Sequence, residues 1–122
     1  MHTNKFLQRC QSAKDVIKEC TVEQIIERTN KHIPFLLIDV READEFKKGS
    51  IPNSIHISKG VLERDIETVT NDPNTPIVLY CGGGYRSAIA AESLQMMGYT
   101  SVESMDGGFR SWSMLGHPVK ID

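Results

Sequence analysis

The chain has 122 residues, 39% of them hydrophobic and 25% charged, with a net charge of −2 at pH 7. These values are typical of one globular domain, and they indicate neither a nucleic-acid partner nor a membrane protein. The three cysteines lack Cys-x-x-Cys spacing and the four histidines lack metal-ligand spacing, so we expect no disulfide framework, no metal and no organic cofactor. With no signal-peptide pattern at the N-terminus, these features favour a reducing, cytoplasmic setting.

The first half of the chain alternates between helical and strand patterns. In order, we expect a short helical face in residues 1–12, an edge strand at Val16–Cys20, a helix from Thr21 to near Asn30, a strand at Phe35–Val40 and a helix at Arg41–Lys48. Thr21 and Gln24 have the spacing of a capping box. The apolar run at Phe35–Val40 does not alternate with polar residues, which is typical of a parallel strand covered on both faces.

The second half continues the alternation. It predicts a short strand at Ser54–Ile57, a helix at Lys59–Val69, a strand at Ile77–Tyr80, a helix at Ser87–Met97, a strand at Ser101–Met105 and a helix at Phe109–Leu115. Alternating strands and helices imply right-handed crossovers. We therefore predict a three-layer α/β fold with a central, mainly parallel five-stranded sheet and helices on both faces. Residues 1–20 are expected to form an N-terminal extension that packs on a domain spanning residues 21–122.

The most informative stretch follows the strand Ile77–Tyr80 and reads Cys81-Gly82-Gly83-Gly84-Tyr85-Arg86-Ser87; we call it the cysteine loop. A strand, a glycine-rich turn and a helix direct backbone N–H groups at an anion. The helix start and Arg86 favour an ionised sulfur, and Ser87 can cap the helix or donate to that sulfur. We expect Cys81 to be an exposed thiolate nucleophile. The alternative is a buried, inert cysteine beside an ordinary turn.

With these residues in view, the chain resembles a single-domain rhodanese, a sulfurtransferase, from about Thr21 to its C-terminal end. The matching segments are Leu37–Glu42 with Glu45-Phe46 and Gly49–Pro52, the strand Ile77–Tyr80, the cysteine loop, and Met105–Trp112 with Gly116–Val119. The loop is the only one of these segments that bears on activity.

The resemblance implies a two-step exchange at Cys81. Its thiolate would take a sulfane sulfur from thiosulfate or a persulfide and pass it to cyanide or a thiol. The backbone N–H groups that would hold the outer sulfur belong to Gly82, Gly83, Gly84, Tyr85, Arg86 and Ser87. Asp39, Arg41 and Glu45 would support the loop. Arg86 either faces the pocket and binds an anionic donor or pairs with Glu45 and braces the loop.

The partners that follow from this are a small sulfur donor and a thiol or cyanide acceptor, with a sulfur-carrier protein as a further candidate. We expect a monomer or a weak dimer. Arg86 is the only charged residue in the cysteine loop. Thiosulfate is therefore expected to be a poorer donor than a persulfide.

Three other functions are compatible with parts of the sequence. A cysteine-loop phosphatase or arsenate reductase needs five residues between its cysteine and arginine, whereas four separate Cys81 from Arg86. A non-catalytic rhodanese-like binding module is disfavoured because Cys81 is present. A redox protein would need a resolving cysteine beside Cys81, and the sequence does not place Cys10 or Cys20 in space.

Overall fold

The computed structural model describes residues 2–121, and the structural statements below refer to this part of the chain. Its strands are β1 (Lys18–Cys20), β2 (Leu36–Asp39), β3 (Ile55–His56), β4 (Ile77–Tyr80) and β5 (Val102–Met105). Its α-helices are α1 (Asn4–Lys14), α2 (Val22–Asn30), α3 (Ala43–Lys48), α4 (Leu62–Val69), α5 (Tyr85–Met96) and α6 (Gly108–Met114), and a 3₁₀ turn at Lys59–Val61 precedes α4. Among the helices of residues 2–121, none is long and apolar enough to cross a membrane.

The five strands form one parallel sheet in the order β1-β5-β4-β2-β3. The α/β prediction is confirmed, and the sheet is entirely rather than mainly parallel. All four residues of the central strand β4 are buried. The carboxyl ends of β2 and β4 lie side by side, because Asp39 is in register with Tyr80. Ligand sites of such sheets form at this edge.

Two hydrophobic clusters cover the two faces of the sheet. Alternate residues of β4 point to opposite faces, so Leu79 packs in one cluster while Val78 and Tyr80 pack in the other. Full burial of an aliphatic side chain stabilises the fold by roughly 1.5–3 kcal/mol. The strand that leads to Cys81 is therefore held firmly on both sides.

The N-terminal helix α1 packs against α5, the helix that follows the cysteine loop. Cys10 of α1 shares a small buried cluster with Ala88 and Ile89 of α5. Arg9 of α1 also forms an ion pair with Glu92 of α5 at 2.6 Å. These contacts fix α1 beside the carboxyl edge of β4.

The sequence predicts the start of helix α2 correctly and that of helix α5 incorrectly. The side chain of Thr21 accepts from the backbone N–H of Gln24, and the reciprocal bond closes the predicted capping box. Helix α5 begins at Tyr85, two residues before the predicted start, because Gly84 adopts a left-handed conformation with φ of 96° and ends the turn there. The prediction that Ser87 caps this helix is wrong, since Ser87 lies inside the first turn.

Candidate active site

Cys81 follows the carboxyl end of β4 and lines a pocket of about 430 Å³. The pocket is bordered by His2, Thr3, Phe6, Cys81, Gly82, Gly83, Tyr85, Arg86 and Arg110. Only 1% of the Cys81 surface is exposed. The expectation of an exposed cysteine is therefore wrong, because Cys81 packs in the hydrophobic cluster on one face of the sheet and the backbone of the loop folds over its sulfur. A reagent would have to enter the pocket to reach the sulfur.

Three hydrogen-bonding groups surround the sulfur of Cys81. The backbone N–H of Gly84 donates to Sγ at 3.1 Å, and that of Ser87 at 3.4 Å. The Ser87 hydroxyl lies 3.4 Å from Sγ and 2.8 Å from the hydroxyl of Ser104 on β5. Donors directed at sulfur favour negative charge on it. The expected contact between Ser87 and the sulfur is thus present, although Ser87 does not cap the helix.

Helix α6 fixes the carbonyl groups of the cysteine loop. The N–H of Phe109 donates to the carbonyl oxygen of Cys81 at 2.8 Å, and the N–H of Arg110 donates to that of Gly82 at 2.9 Å. This approach requires Gly108, which has φ of 55°, because a Cβ there would lie 2.3 Å from the Cys81 oxygen. The start of α6 therefore sets the orientation of the peptide groups beside the sulfur.

Other N–H groups of the loop lack an acceptor inside the protein. Within residues 2–121, the backbone N–H groups of Gly82, Gly83, Tyr85 and Arg86 make no hydrogen bond to another protein group. Together with the Gly84 and Ser87 N–H groups at the sulfur, they form a run of donors around one short turn. Such a run is suited to an anion.

Arg86 pairs with Glu45 of α3. Its Nη1 lies 2.8 Å from Oε1 and its Nη2 lies 3.2 Å from Oε2. Arg86 also borders the pocket. The alternative in which Arg86 pairs with Glu45 is therefore observed, and the binding of an anionic donor by Arg86 stays a prediction. The hydrogen bond from Arg86 lowers the pKa of Glu45, against the opposing effect of partial burial.

Asp39 and Arg41 support the site from outside the pocket. The fully buried Asp39 carboxylate accepts from the backbone N–H and the guanidinium of Arg41, with the shortest contact at 2.7 Å. Burial acts to lower the pKa of Arg41, but its hydrogen bonds to Asp39 and the charge of that residue raise it overall. The guanidinium also donates to the carbonyl oxygen of Gly49 and stacks on the ring of Phe109, 4.3 Å from its centroid. These contacts join the end of β2 to α6, which holds the loop.

Sequence reasoning missed the pocket residues from both ends of the chain. The ring of Tyr85 packs against His2 at 4.5 Å and against Phe6 at 6.4 Å between ring centroids. Arg110 enters from α6 and brings a second arginine into the pocket. The sequence predicts only a short helical face in residues 1–12, which include Phe6, and Arg110 falls within the family segment Met105–Trp112. Neither pattern indicates that Phe6 or Arg110 lies near Cys81.

The two remaining cysteines are free and buried. Burial raises the pKa of Cys10, and it raises that of Cys20 to about 12. Among the described residues, no three His, Cys, Asp or Glu side chains are grouped in a way that could hold a metal ion.

Comparisons with known proteins agree with this geometry. The model of the rhodanese-like domain matches residues 21–115. The chain is 32% identical to the "putative sulfurtransferase YtwF" of Bacillus subtilis, over 79% of this chain and 90% of that protein. It is 36% identical to the thiosulfate sulfurtransferase GlpE of Pseudomonas savastanoi, over 63% of this chain and 71% of that protein.

Two further similarities extend the comparison. The chain spans about half, 51%, of the length of the "putative sulfur carrier protein YrkF" of Bacillus subtilis, with 29% identity. The solved structure of RPA3614 from Rhodopseudomonas palustris superposes with a TM-score of 0.86 and 28% identity, covering 98% of this chain and 97% of that one. That protein is described as one of unknown function and a possible tyrosine phosphatase.

Proposed function

The chain belongs to the rhodanese-like family, and we propose that it moves a sulfane sulfur from thiosulfate or a persulfide to a thiol or cyanide through a persulfide on Cys81. One observation carries the proposal: Cys81 borders a pocket, and its sulfur accepts hydrogen bonds from the backbone N–H groups of Gly84 and Ser87. Hydrogen bonds of this kind stabilise a thiolate, which is the nucleophilic form of cysteine.

In the first step, the Cys81 thiolate attacks the outer sulfur of the donor. A new S–S bond forms on the protein while the S–S bond of the donor breaks. The electron pair of the broken bond leaves on sulfite when thiosulfate is the donor, or on a thiolate when a persulfide is the donor. Cys81 then carries a persulfide with its negative charge on the outer sulfur.

In the second step, cyanide or an acceptor thiolate attacks that outer sulfur. The protein S–S bond breaks, and its electron pair returns to the Cys81 sulfur. The product is thiocyanate or a new persulfide. Between the steps, the unpaired N–H groups of Gly82, Gly83, Tyr85 and Arg86 are the proposed donors to the outer sulfur. The loss of one such donor in a preorganised site costs about 3 kcal/mol of barrier.

Similarity to the YrkF protein supports a protein thiol among the acceptors, alongside small thiols and cyanide. Three free cysteines fit a reducing, cytoplasmic setting. Because the family match begins at residue 21, we propose that residues 1–20 are an extension of a domain formed by residues 21–122. A monomer or weak dimer is sufficient for this chemistry.

A phosphatase is the second candidate, and the likeness to RPA3614 is the observation that favours it. A phosphate ester places a tetrahedral dianion among the loop N–H groups. The loop here has four residues between Cys81 and Arg86, and Arg86 is engaged with Glu45. A short turn whose arginine has its charge neutralised by a glutamate suits one sulfur atom better than a phosphate group.

The deciding experiment is intact-protein mass spectrometry after brief exposure to thiosulfate and, separately, to glutathione persulfide. We expect the wild type to gain one sulfur atom that cyanide removes, and Cys81→Ser to gain none. No uptake from either donor, with Cys81 still open to alkylation, would falsify the sulfurtransferase function. Hydrolysis of p-nitrophenyl phosphate that is lost in Cys81→Ser would then support the phosphatase.

A further inference from the structure

We propose that Arg110 and Phe6 select the sulfur donor, and that the donor is a small organic persulfide carrying a carboxylate. Arg110 binds the carboxylate, and Phe6 packs against the carbon chain. This inference rests on the proposed sulfurtransferase function, because it names the substrate of the same pocket.

The charges around the pocket favour an anionic donor. Two arginines border the pocket. The charge of Arg86 is compensated by Glu45 at 2.8 Å, whereas Arg110 makes no ion pair with any acidic group of residues 2–121. The backbone of Arg110 is anchored on the Gly82 carbonyl at 2.9 Å, while its side chain is exposed. It is therefore the cation available to an anionic group that enters the pocket, and guanidinium geometry suits a carboxylate.

Another wall of the pocket is aromatic. Phe6 and Tyr85 are both half-buried, with 6.4 Å between their ring centroids, and His2 lies against both rings. A volume of about 430 Å³ falls in the range of roughly 300–1,000 Å³ typical of small organic ligands. An inorganic donor such as thiosulfate would leave the pocket-facing surface of these rings uncovered. A carbon chain would bury them and gain binding energy.

Part of the aromatic wall comes from a segment that precedes the family match. His2 and Phe6 precede residue 21, where the family match begins. The contacts of α1 with α5 through Cys10 and Arg9 hold this wall in place. The cysteine loop supplies the chemistry, and a segment outside the matched region supplies one side of the substrate pocket. Donor choice can thus differ between chains that share the loop.

The transfer step is balanced without any further reactant. The Cys81 thiolate attacks the outer sulfur of the persulfide, the S–S bond of the donor breaks, and the inner sulfur leaves with the electron pair. It takes up the proton of the persulfide and is released as a thiol. The carboxylate on Arg110 is unchanged and serves only to position the donor.

The test compares three donors under steady-state conditions: N-acetylcysteine persulfide, which carries one carboxylate, 2-hydroxyethyl persulfide, which carries none, and thiosulfate. We expect Arg110→Gln to raise KM for the carboxylate donor by about five- to tenfold with kcat retained. KM for 2-hydroxyethyl persulfide should stay within about twofold. Arg110→Lys should recover part of the loss. Arg64→Gln is the matched control, because Arg64 is an exposed arginine that does not border the pocket.

Phe6→Ala is expected to raise KM for both organic persulfides by at least about threefold and to leave thiosulfate unchanged. Phe6→Leu retains an apolar wall, so its KM for the organic persulfides should lie between those of Phe6→Ala and the wild type. This graded result distinguishes the loss of a substrate contact from a loss of folding. The inference is overturned if Arg110→Gln changes both persulfides equally, or neither. If the wild type takes sulfur from no donor, the proposed function itself fails.

Discussion

Arg86 of the cysteine loop and Glu45 of α3 form a two-pronged ion pair, with N–O distances of 2.8 and 3.2 Å. About a third of each side chain is exposed, 34% for Arg86 and 36% for Glu45. Solvent screening limits such a pair to less than about 1 kcal/mol. Its main effect is therefore to fix the position of Arg86, which folds back so that its Nη2 would lie 3.1 Å from a Cβ at Gly82.

Glu45→Gln keeps the shape of this contact and removes its charge. We expect kcat/KM for sulfur transfer to fall by about three- to tenfold, because a small displacement of a positioned group costs catalysis. The change in unfolding free energy should be less than about 1 kcal/mol at pH 7. Urea titration and donor-dependent thiocyanate formation measure the two effects.

The same pair predicts a pH dependence. Arg86 holds the pKa of Glu45 below its ordinary value, so the unfolded chain takes up this proton at a higher pH than the folded one. The contribution to stability is fully present above about pH 4.3 and is lost as the pH falls through the lower pKa of the folded state. The difference in unfolding free energy between the wild type and Glu45→Gln should therefore disappear at acidic pH.

Glu27→Gln is the control for the activity of Glu45→Gln, because Glu27 forms an exposed pair with Lys31. This variant should leave sulfur transfer unchanged; an equal loss of activity there would contradict the role of Glu45.

Several features of this fold could be predicted because they depend on neighbouring residues in the chain. The apolar run at Ile77–Tyr80, the capping box at Thr21 and the position of Cys81 after a strand all follow from local pattern. The burial of Cys81 could not be predicted, since it depends on how α1 and α6 approach the loop. Arg110 was missed for the same reason: its pocket position depends on the packing of Gly108 against the Cys81 carbonyl.

The Ser87 hydroxyl gives a further prediction. It is fully buried between the Cys81 sulfur and the Ser104 hydroxyl. Ser87→Ala removes a hydrogen-bonding group at the reacting atom and leaves Ser104 without this partner. We expect sulfur uptake to slow by about tenfold and unfolding free energy to fall by about 1–2 kcal/mol. Ser104→Ala should cost similar stability with uptake close to that of the wild type; equal slowing in both variants would assign Ser87 a structural role only.

The close approach of α6 to the loop gives another prediction. Gly108→Ala places a methyl group 2.3 Å from the Cys81 carbonyl oxygen at φ of 55°. We expect unfolding free energy to fall by about 3 kcal/mol or more, from backbone strain and steric overlap together. Sulfur uptake in protein that remains folded should drop by about a hundredfold, since the loop must move.

Gly116→Ala separates strain from overlap. Gly116 also has positive φ, at 80°, but no atom lies within 4 Å of a Cβ built there. Only a backbone cost of about 1–2 kcal/mol is expected, with sulfur uptake unchanged. Similar activity in the two variants would mean that the contact between α6 and Cys81 does not position the loop.

The three cysteines should differ sharply in their reaction with iodoacetamide, because only the thiolate is alkylated. The pKa of Cys20 is raised by burial to about 12, so roughly 10⁻⁴ of this thiol is ionised at pH 8. Burial also raises the pKa of Cys10. Cys81 receives hydrogen bonds at its sulfur and borders the pocket through which a reagent can enter. We expect one label at pH 8, on Cys81, and at least about a hundredfold slower labelling of Cys81→Ser, measured by peptide mass spectrometry.

As the pH rises toward 12, the ionised fraction of Cys20 grows tenfold per unit. The labelling of Cys20 in Cys81→Ser should therefore accelerate, and circular dichroism at each pH checks that the protein is still folded. If Cys81→Ser is labelled as fast as the wild type at pH 8, the loop does not activate Cys81.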